Sequence, residues 1–278
     1  VVGDPSYTNS NAVDMESSLL DVAPTYCLAL LRVGRAVQGR RQQAQICLKA
    51  GYDTQGQQDY SPKGLRKQLE SSLKVLGSGY VDVLLLHNPP LSVLQATDPI
   101  WAELAKLKTE GKARAFGVSL TTADEAKAAL DKTSAEVLQL PFNVFCQDNL
   151  PAIEAAAKKR VGIIVNRPLD SGWLSGRFSP MHPFMDDRRR WSLSDRERRA
   201  ALQARFEAIT DTPTGRPAQA ALQFVLSVSG VSCAIPGASL WQQVIGNVSA
   251  GQQRMEPGTV AKLKDLWDKQ LKTTPLGI

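Results

Sequence analysis

Seven times from residue 19 onward, a short apolar run is followed by a loop and then a helical pattern. This alternation constrains the chain more than any other feature, because parallel strands need long crossover connections and helices supply them. The strand candidates are Leu19–Ala23, Gln45–Ala50, Val81–Leu86, Ala113–Val118, Val137–Leu140, Gly162–Val165 and Ser232–Ile235. Their apolar residues do not simply alternate with polar ones, as expected of strands covered on both faces.

The helical patterns carry their own start signals. Ser61-Pro62 places a capping residue before proline at the first helical position. Leu65, Leu69, Leu73 and Leu76 follow on one face, and Gly77 and Gly79 end the run. Asp98-Pro99 opens a second helix bearing Trp101, Leu104 and Leu107. Thr122 with Glu125, and Ser194 with Glu197, read as capping boxes, the latter ahead of Leu202, Phe206 and Ile209. Further helices are expected over Ala218–Ser227, Trp241–Val248 and Gly258–Lys269.

Two α/β folds accommodate this order: a closed barrel and an open doubly wound sheet. The open sheet calls for GxGxxG after an early strand, and the sequence has none there. No long Pro/Gly/Ser linker divides the chain. The expectation is therefore a (β/α)8 TIM barrel with residues 1–278 as a single domain. Its N-terminal strand and helix are the exception, open between truncated and altered. Val1-Val2-Gly3 reads as a strand remnant, and Ala12–Leu20 as a short helix running straight into Asp21.

Composition narrows the function classes. Apolar residues make up 43% of the chain, enough for a packed core. Formal charge is +6, and the basic cluster Arg188, Arg189, Arg190, Arg196, Arg198 and Arg199 is interspersed with acidic residues. That is too little for a nucleic-acid surface, but a mild positive field suits an anionic cofactor or substrate. Cys27, Cys47, Cys146 and Cys233 lie far apart with no CxxC pair, so neither a metal site nor a disulfide framework is expected. A reducing, cytoplasmic compartment is the simplest inference. The N-terminus lacks a signal-peptide pattern, and no apolar stretch approaches membrane-spanning length.

Barrel enzymes place their chemistry at the C-terminal ends of strands and in the loops that follow. Asp21 and Tyr26 fall at and after the first strand candidate, Lys49 ends AQICLKAG, and His87 ends VDVLLLHNPP. Taken singly, each has a plain reading: a turn cap, a rim aromatic, a lysine reaching outward, a structural histidine. His87 is the sharpest, being one of 2 histidines and terminating an apolar run. His182, in SPMHPF, has no such setting.

At these residues the chain resembles the aldo-keto reductase family. DVAPTY is similar to the family's DTAxxY, and the strand ending in Lys49 resembles its catalytic-lysine strand. LRKQLESSLKVLGSGYVDVLLLH, from Leu65 to His87, follows its signature helix and strand. AFGVS (Ala115–Ser119), VLQLPFN (Val137–Asn143), PLDSGWLSGRF (Pro168–Phe178) and IPGASLWQQVIGN (Ile235–Asn247) match further blocks in order. The resemblance spans about residues 19–250.

The resemblance implies an NAD(P)(H)-dependent oxidoreductase acting on an aldehyde, ketone or alcohol, with Asp21, Tyr26, Lys49 and His87 as its catalytic tetrad. Tyr26 protonates the oxygen that gains charge as hydride reaches the carbonyl carbon. An unperturbed phenol titrates near 10, so the Lys49 ammonium eases this transfer. Asp21 holds Lys49, and His87 orients the oxygen or assists the proton. No metal is implied, because hydride transfer belongs to the cofactor. Ser119 and Gln139 are implied at the nicotinamide carboxamide. The Leu169–Leu174 loop, with Leu169, Gly172 and Leu174, is implied at the pyrophosphate. Gly237, Ser239, Gln243 and Asn247 are implied at the adenosine end.

Some positions depart from the family. Leu120 stands where Asn is common, Asn166 replaces a frequent stacking aromatic, and Cys27 replaces a glycine. Ile235–Asn247 contains no Lys or Arg, and Leu240 and Gln243 stand where relatives often carry polar or basic groups. NADP(H) is thus favoured by resemblance, with weakened discrimination against NAD(H). The expected partner is a small carbonyl or alcohol compound, with no nucleic acid, no membrane and the oligomeric state open. Tyr52, Trp173, Phe178 and Trp191 are candidates for an apolar substrate wall or for local loop packing. Two other functions compete. One is a non-catalytic or weakly catalytic cofactor-binding regulatory subunit. The other is an aldolase-type barrel using Lys49 for a Schiff base.

Overall fold

The computed structural model describes residues 12–14, 19–26, 28–53, 55–211 and 216–277. Strand and helix alternate as β1 (Leu19–Val22), α1 (Ala29–Val37), β2 (Gln45–Ala50), α2 (Pro62–Leu76), β3 (Val81–His87), α3 (Pro99–Thr109), β4 (Ala113–Ser119), α4 (Ala123–Lys132), β5 (Val137–Pro141), α5 (Leu150–Lys159) and β6 (Gly162–Asn166). There follow α6 (Leu193–Thr210), α7 (Pro217–Leu226), β7 (Val231–Ala234), α8 (Trp241–Gly251) and α9 (Pro257–Gln270). The seven strands pair in sequence order, every pair parallel. This is the curled sheet of a (β/α)8-type barrel.

A cleft of about 400 Å³ lies between the two sheet edges, lined by Leu19 and Asp21 on one side and Ala234, Ile235 and Gly237 on the other. The strand expected at Val1–Gly3 lies outside the described residues. Of the helix expected over 12–20, residues 12–14 are helical, while Leu19 and Leu20 belong to β1. Residues 15–18 and Cys27 are outside the described set.

Side-chain alternation sorts each strand into two faces. Ile46, Leu48, Leu84, Leu86, Val118, Leu138, Leu140, Ile163 and Val165 join the large core between sheet and helices. Cys47, Leu85 and Ile164 form a smaller core, with Leu19, Val83, Val137, Cys233 and Ile235 packed against it. These point into the barrel. Positions two residues further along the same strands keep that parity, so Asp21, Lys49, His87, Gln139 and Asn166 also face inward, at the C-terminal end.

The register staggers them. Asp21 pairs with Cys47, leaving Lys49 two residues higher. Lys49 pairs with Leu85, leaving His87 two higher again. His87 pairs with Ser119, and Ser119 with Gln139. At Gly117 a Cβ would stand 1.7 Å from the Val137 carbonyl oxygen, so only glycine lets β4 approach β5 this closely.

The helix signals are largely met. Ser61 Oγ accepts from Gly64 N at 3.0 Å, and Gly77 closes α2 with φ 63°. Thr122 and Glu125 form a reciprocal capping box on α4. The box expected at Ser194 and Glu197 is instead Ser192 with Asp195. Both pairs have the required spacing, but Trp191 is buried immediately ahead and sets where the chain enters α6.

Candidate active site

Asp21 comes from β1, Tyr26 from the turn after it, Lys49 from β2 and His87 from the end of β3. The structure brings all four to one mouth. Lys49 Nζ donates to Asp21 Oδ2 and lies 3.2 Å from the Tyr26 hydroxyl. The Lys49 and Asp21 side chains are 4% and 13% exposed, whereas Tyr26 is 42% exposed. The ion pair is therefore sealed beneath a tyrosine that solutes can reach. The Tyr26 and His87 rings meet edge to face, with centroids 6.0 Å apart. Tyr60 donates its hydroxyl to the His87 carbonyl oxygen at 2.6 Å, fixing the end of β3.

Burial works against the Lys49 ammonium, but the Asp21 carboxylate beside it prevails and holds the lysine above its ordinary range. Burial, reinforced by the Lys49 charge, pushes His87 down to about 4. His87 is therefore neutral near pH 7, with one N–H to donate and one nitrogen to accept.

A polar chain continues across the barrel from the ion pair. Gln139 Nε2 donates to Asp21 Oδ1 at 2.8 Å. This turns Gln139 Oε1 toward Ser119 and Asn166, from which it accepts at 3.2 and 3.3 Å. Oδ1 of Asn166 is left buried and unpaired. Tyr26, Lys49, His87, Ser119, Gln139 and Asn166 all line a pocket of about 210 Å³. Leu120, which stands where Asn is common in the family, is 1% exposed and contributes to the core.

A second cleft, of about 480 Å³, lies beside this pocket. Leu169 and Gly172, implied at the pyrophosphate, and Gly237, Ser239 and Gln243, implied at the adenosine end, all line it. Gly172 has φ 90°, backbone that a side chain rarely tolerates. Two members of the expected set stand apart. Leu174 is fully buried below the turn, and Asn247 lines the neighbouring cleft between the sheet edges. Gln243 Oε1 is occupied, accepting from Ser239 N at 2.8 Å and Leu240 N at 3.2 Å at the start of α8.

Three arginines line this cleft: Arg188, from the Arg188–Arg190 run that the sequence offers as a cation able to swing toward the cofactor, and Arg167 and Arg177, to which the sequence assigns no role. No acidic side chain lines it among the described residues. Arg188 donates to the Ser171 carbonyl oxygen at 3.0 Å and to Asp186 Oδ1 at 2.9 Å. Its guanidinium stacks on Phe178 and Phe184, 4.8 and 4.7 Å from the ring centroids. The available signal was Arg177 directly after the LSG turn. Arg188 depends on the folding of a long loop, and no sequence pattern requires it here.

The four candidates for an apolar substrate wall separate. Trp173 and Trp191 are buried and pack with Phe178 and Phe184 into a small aromatic core within the loop after β6. Tyr52 alone stands beside the mouth, 5.4 Å from the His87 ring. No group of three or more His, Cys, Asp or Glu suited to a metal occurs among the described residues. No helix there is long and apolar enough to cross a membrane.

A model of the aldo/keto reductase family matches residues 8–268. A probable aldo-keto reductase from Glycine max is 26% identical over 230 residues, covering 79% of this chain and 66% of that protein. The match thus spans slightly less than two thirds of that relative's length. Among solved structures, the holo form of an aldo-keto reductase from Bacillus halodurans superposes with a TM-score of 0.80 at 22% identity, covering 94% of this chain and 86% of that one. A glycerol dehydrogenase from Gluconobacter oxydans gives 0.78 at 23% identity, with 99% and 89% covered. At such identities the superpositions speak to the fold.

Proposed function

The chain belongs to the aldo/keto reductase family, and from that premise we propose that it is a nicotinamide-dependent oxidoreductase interconverting a small carbonyl compound and its alcohol. The observation that carries this reading is the contact chain from Asp21 through Lys49 to an accessible Tyr26, with neutral His87 beside it. A bound nicotinamide supplies or accepts the hydride. Tyr26 donates its hydroxyl proton to the carbonyl oxygen, and in the reverse direction its oxygen takes the alcohol proton. Lys49, kept charged by Asp21, stabilises the oxygen that Tyr26 leaves behind. His87 donates its N–H to the substrate oxygen and orients it.

The residues present fit the cofactor. Ser119, Gln139 and the orphaned Asn166 Oδ1 provide polar atoms for the carboxamide end, and the cleft lined by Arg167, Arg177 and Arg188 suits the phosphates. Leu169 and Gly172 with Leu174 beneath them shape the turn at the phosphates, and Gly237, Ser239, Gln243 and Asn247 serve the adenosine end. Residues 1–278 are read as one catalytic barrel domain. Lys49 is a poor candidate for a Schiff base, because Asp21 keeps its nitrogen protonated. No observation favours a purely regulatory role over catalysis. A panel of aldehydes, ketones and sugars, assayed with both reduced cofactors, tests the proposal; failure of every carbonyl to oxidise bound cofactor contradicts it.

Cofactor preference follows from the second cleft. NADP(H) is favoured because Arg177 and Arg188 supply cations that the segment at 235–247 lacks. Asp186 pairs with Arg188 and tempers its charge, so NAD(H) is also accepted. Arg188→Ala should narrow the NADPH-over-NADH ratio of kcat/KM by roughly tenfold, as for one charge-assisted hydrogen bond. An unchanged ratio places the 2′-phosphate elsewhere.

His87 also predicts a pH effect on stability. Its folded pKa of about 4 lies below the unfolded value near 6.5. Between these values the unfolded chain binds more protons, so stability falls as pH drops through this window and the contribution levels off below it. Denaturant melts from pH 7 to pH 4 should show a smaller acid loss in His87→Gln than in the parent. Parallel curves contradict the assignment.

A further inference from the structure

The turn between β6 and the phosphate cleft takes an unusual backbone course. Arg167, Asp170 and Ser171 have φ of 49°, 47° and 54°, and Gly172 follows at 90°. Consecutive non-glycine residues in this region persist only where surrounding contacts hold them. Among the described residues the Ser171 N–H has no backbone acceptor, and Ser171 lines the cleft; the Gly172 and Trp173 N–H groups bond within the turn, to Leu169 O at 2.9 Å and Asp170 O at 3.0 Å.

What holds the turn is a buried cation from α6. Arg199 is 0% exposed, and its Nε donates to Asp170 Oδ2 at 3.0 Å. Its Nη2 donates to the Gly277 carbonyl oxygen at 2.6 Å, and its guanidinium lies 4.0 Å from the centroid of the Trp191 ring. Nη1 is buried and without a partner. One side chain therefore ties together the turn, the aromatic core of the following loop and the C-terminal segment. A buried ion pair is a poor route to stability, since apolar replacements of similar volume often serve as well. Its distinctive product here is a fixed direction at Asp170.

We propose that Arg199 is a positioning residue for the cofactor's phosphates. It holds Asp170 so that Ser171 stays at the cleft, its N–H open to a ligand and its carbonyl oxygen receiving Arg188. The inference rests on the reading of this cleft as the phosphate end of a nicotinamide dinucleotide. Arg199 touches no ligand itself; it sets where the amide and the Arg188 guanidinium stand. Lysine at this position retains the charge but lacks the planar fork of donors that arginine presents.

Calorimetric titration of the full chain with NADPH, and with ADP-ribose as a ligand carrying the pyrophosphate without nicotinamide, tests this. Arg199→Met should weaken both by roughly tenfold or more, and the cofactor KM should rise by a larger factor than kcat falls. Arg199→Lys should recover part of the affinity. The pair Asp170→Leu with Arg199→Met removes both buried charges; it should regain thermal stability relative to Arg199→Met without regaining affinity. Parent-like dissociation constants in folded Arg199→Met, with only a lowered Tm, make the pair merely structural and overturn the proposal. Restored affinity in the double variant does the same. A parent chain that binds neither ligand overturns the cofactor reading, and this inference with it. Binding by the parent with unchanged constants in the variants overturns this inference alone.

Discussion

Tyr26→Phe should lower turnover by about 10²–10⁴-fold, the range for a positioned proton donor, while cofactor affinity stays close to that of the parent. The substitution keeps the ring that meets His87 edge to face and removes only the hydroxyl 3.2 Å from Lys49 Nζ. Because Tyr26 is a rim residue and not part of the core, little stability should be lost. Steady-state kinetics with a fluorescence titration of the reduced cofactor separates the two effects. Turnover near the parent value would remove Tyr26 from the chemistry. A matching loss of cofactor binding would make its role one of shape.

The second large effect is on the buried ion pair. Asp21→Ala leaves the Lys49 ammonium enclosed with no counter-charge, and breaking such a pair costs about 3–5 kcal/mol. The variant should also lose most of its turnover, since both Lys49 and the Gln139 chain depend on Asp21. The pH dependence gives a sharper sign. In the parent, the folded pKa of Lys49 lies above its ordinary value of 10.5. The pair's contribution is therefore fully present below 10.5 and is lost as pH rises through the folded pKa. Without Asp21, burial dominates and the folded pKa falls below 10.5. The Lys49 contribution to the stability slope then turns positive below that pH. Denaturant melts from pH 7 to pH 11 compare the two slopes. A loss under about 1 kcal/mol with an unchanged slope would mean that Lys49 is not the buried cation described.

Much of this site is readable from strand endings. Lys49 and His87 terminate apolar runs, and the two-residue alternation places both on the inward face with Asp21 and Gln139. Tyr26 is different: it lies in a turn, where no periodicity marks orientation, so its position after the first strand makes it only a rim candidate and the DVAPTY resemblance gives it a role. The α6 boundary was displaced because two Ser-x-x-acid pairs overlap, and burial of Trp191 selects between them.

The arginine-lined cleft was the least legible part. Arg188 reaches it because Phe178 and Phe184 stack beneath its guanidinium, and those rings are set by a loop core shared with Trp173 and Trp191. The same packing is why the two tryptophans do not form a substrate wall. Asp170 and Arg199 are far apart in sequence and carry no spacing signal. Their pairing follows from where α6 crosses the turn, a fact of tertiary structure alone.

In the proposed reaction the Asp21–Lys49–Tyr26 chain performs carbonyl reduction with a bound nicotinamide. A single-turnover experiment tests it most directly: NADPH-loaded protein is mixed with members of an aldehyde and ketone panel, and nicotinamide absorbance is followed alongside product analysis. The expected result is carbonyl-dependent cofactor oxidation with one alcohol formed per cofactor consumed, and near-abolition of the rate in Tyr26→Phe. Tight NADPH binding with no oxidation by any carbonyl, or equal rates in parent and Tyr26→Phe, would contradict it.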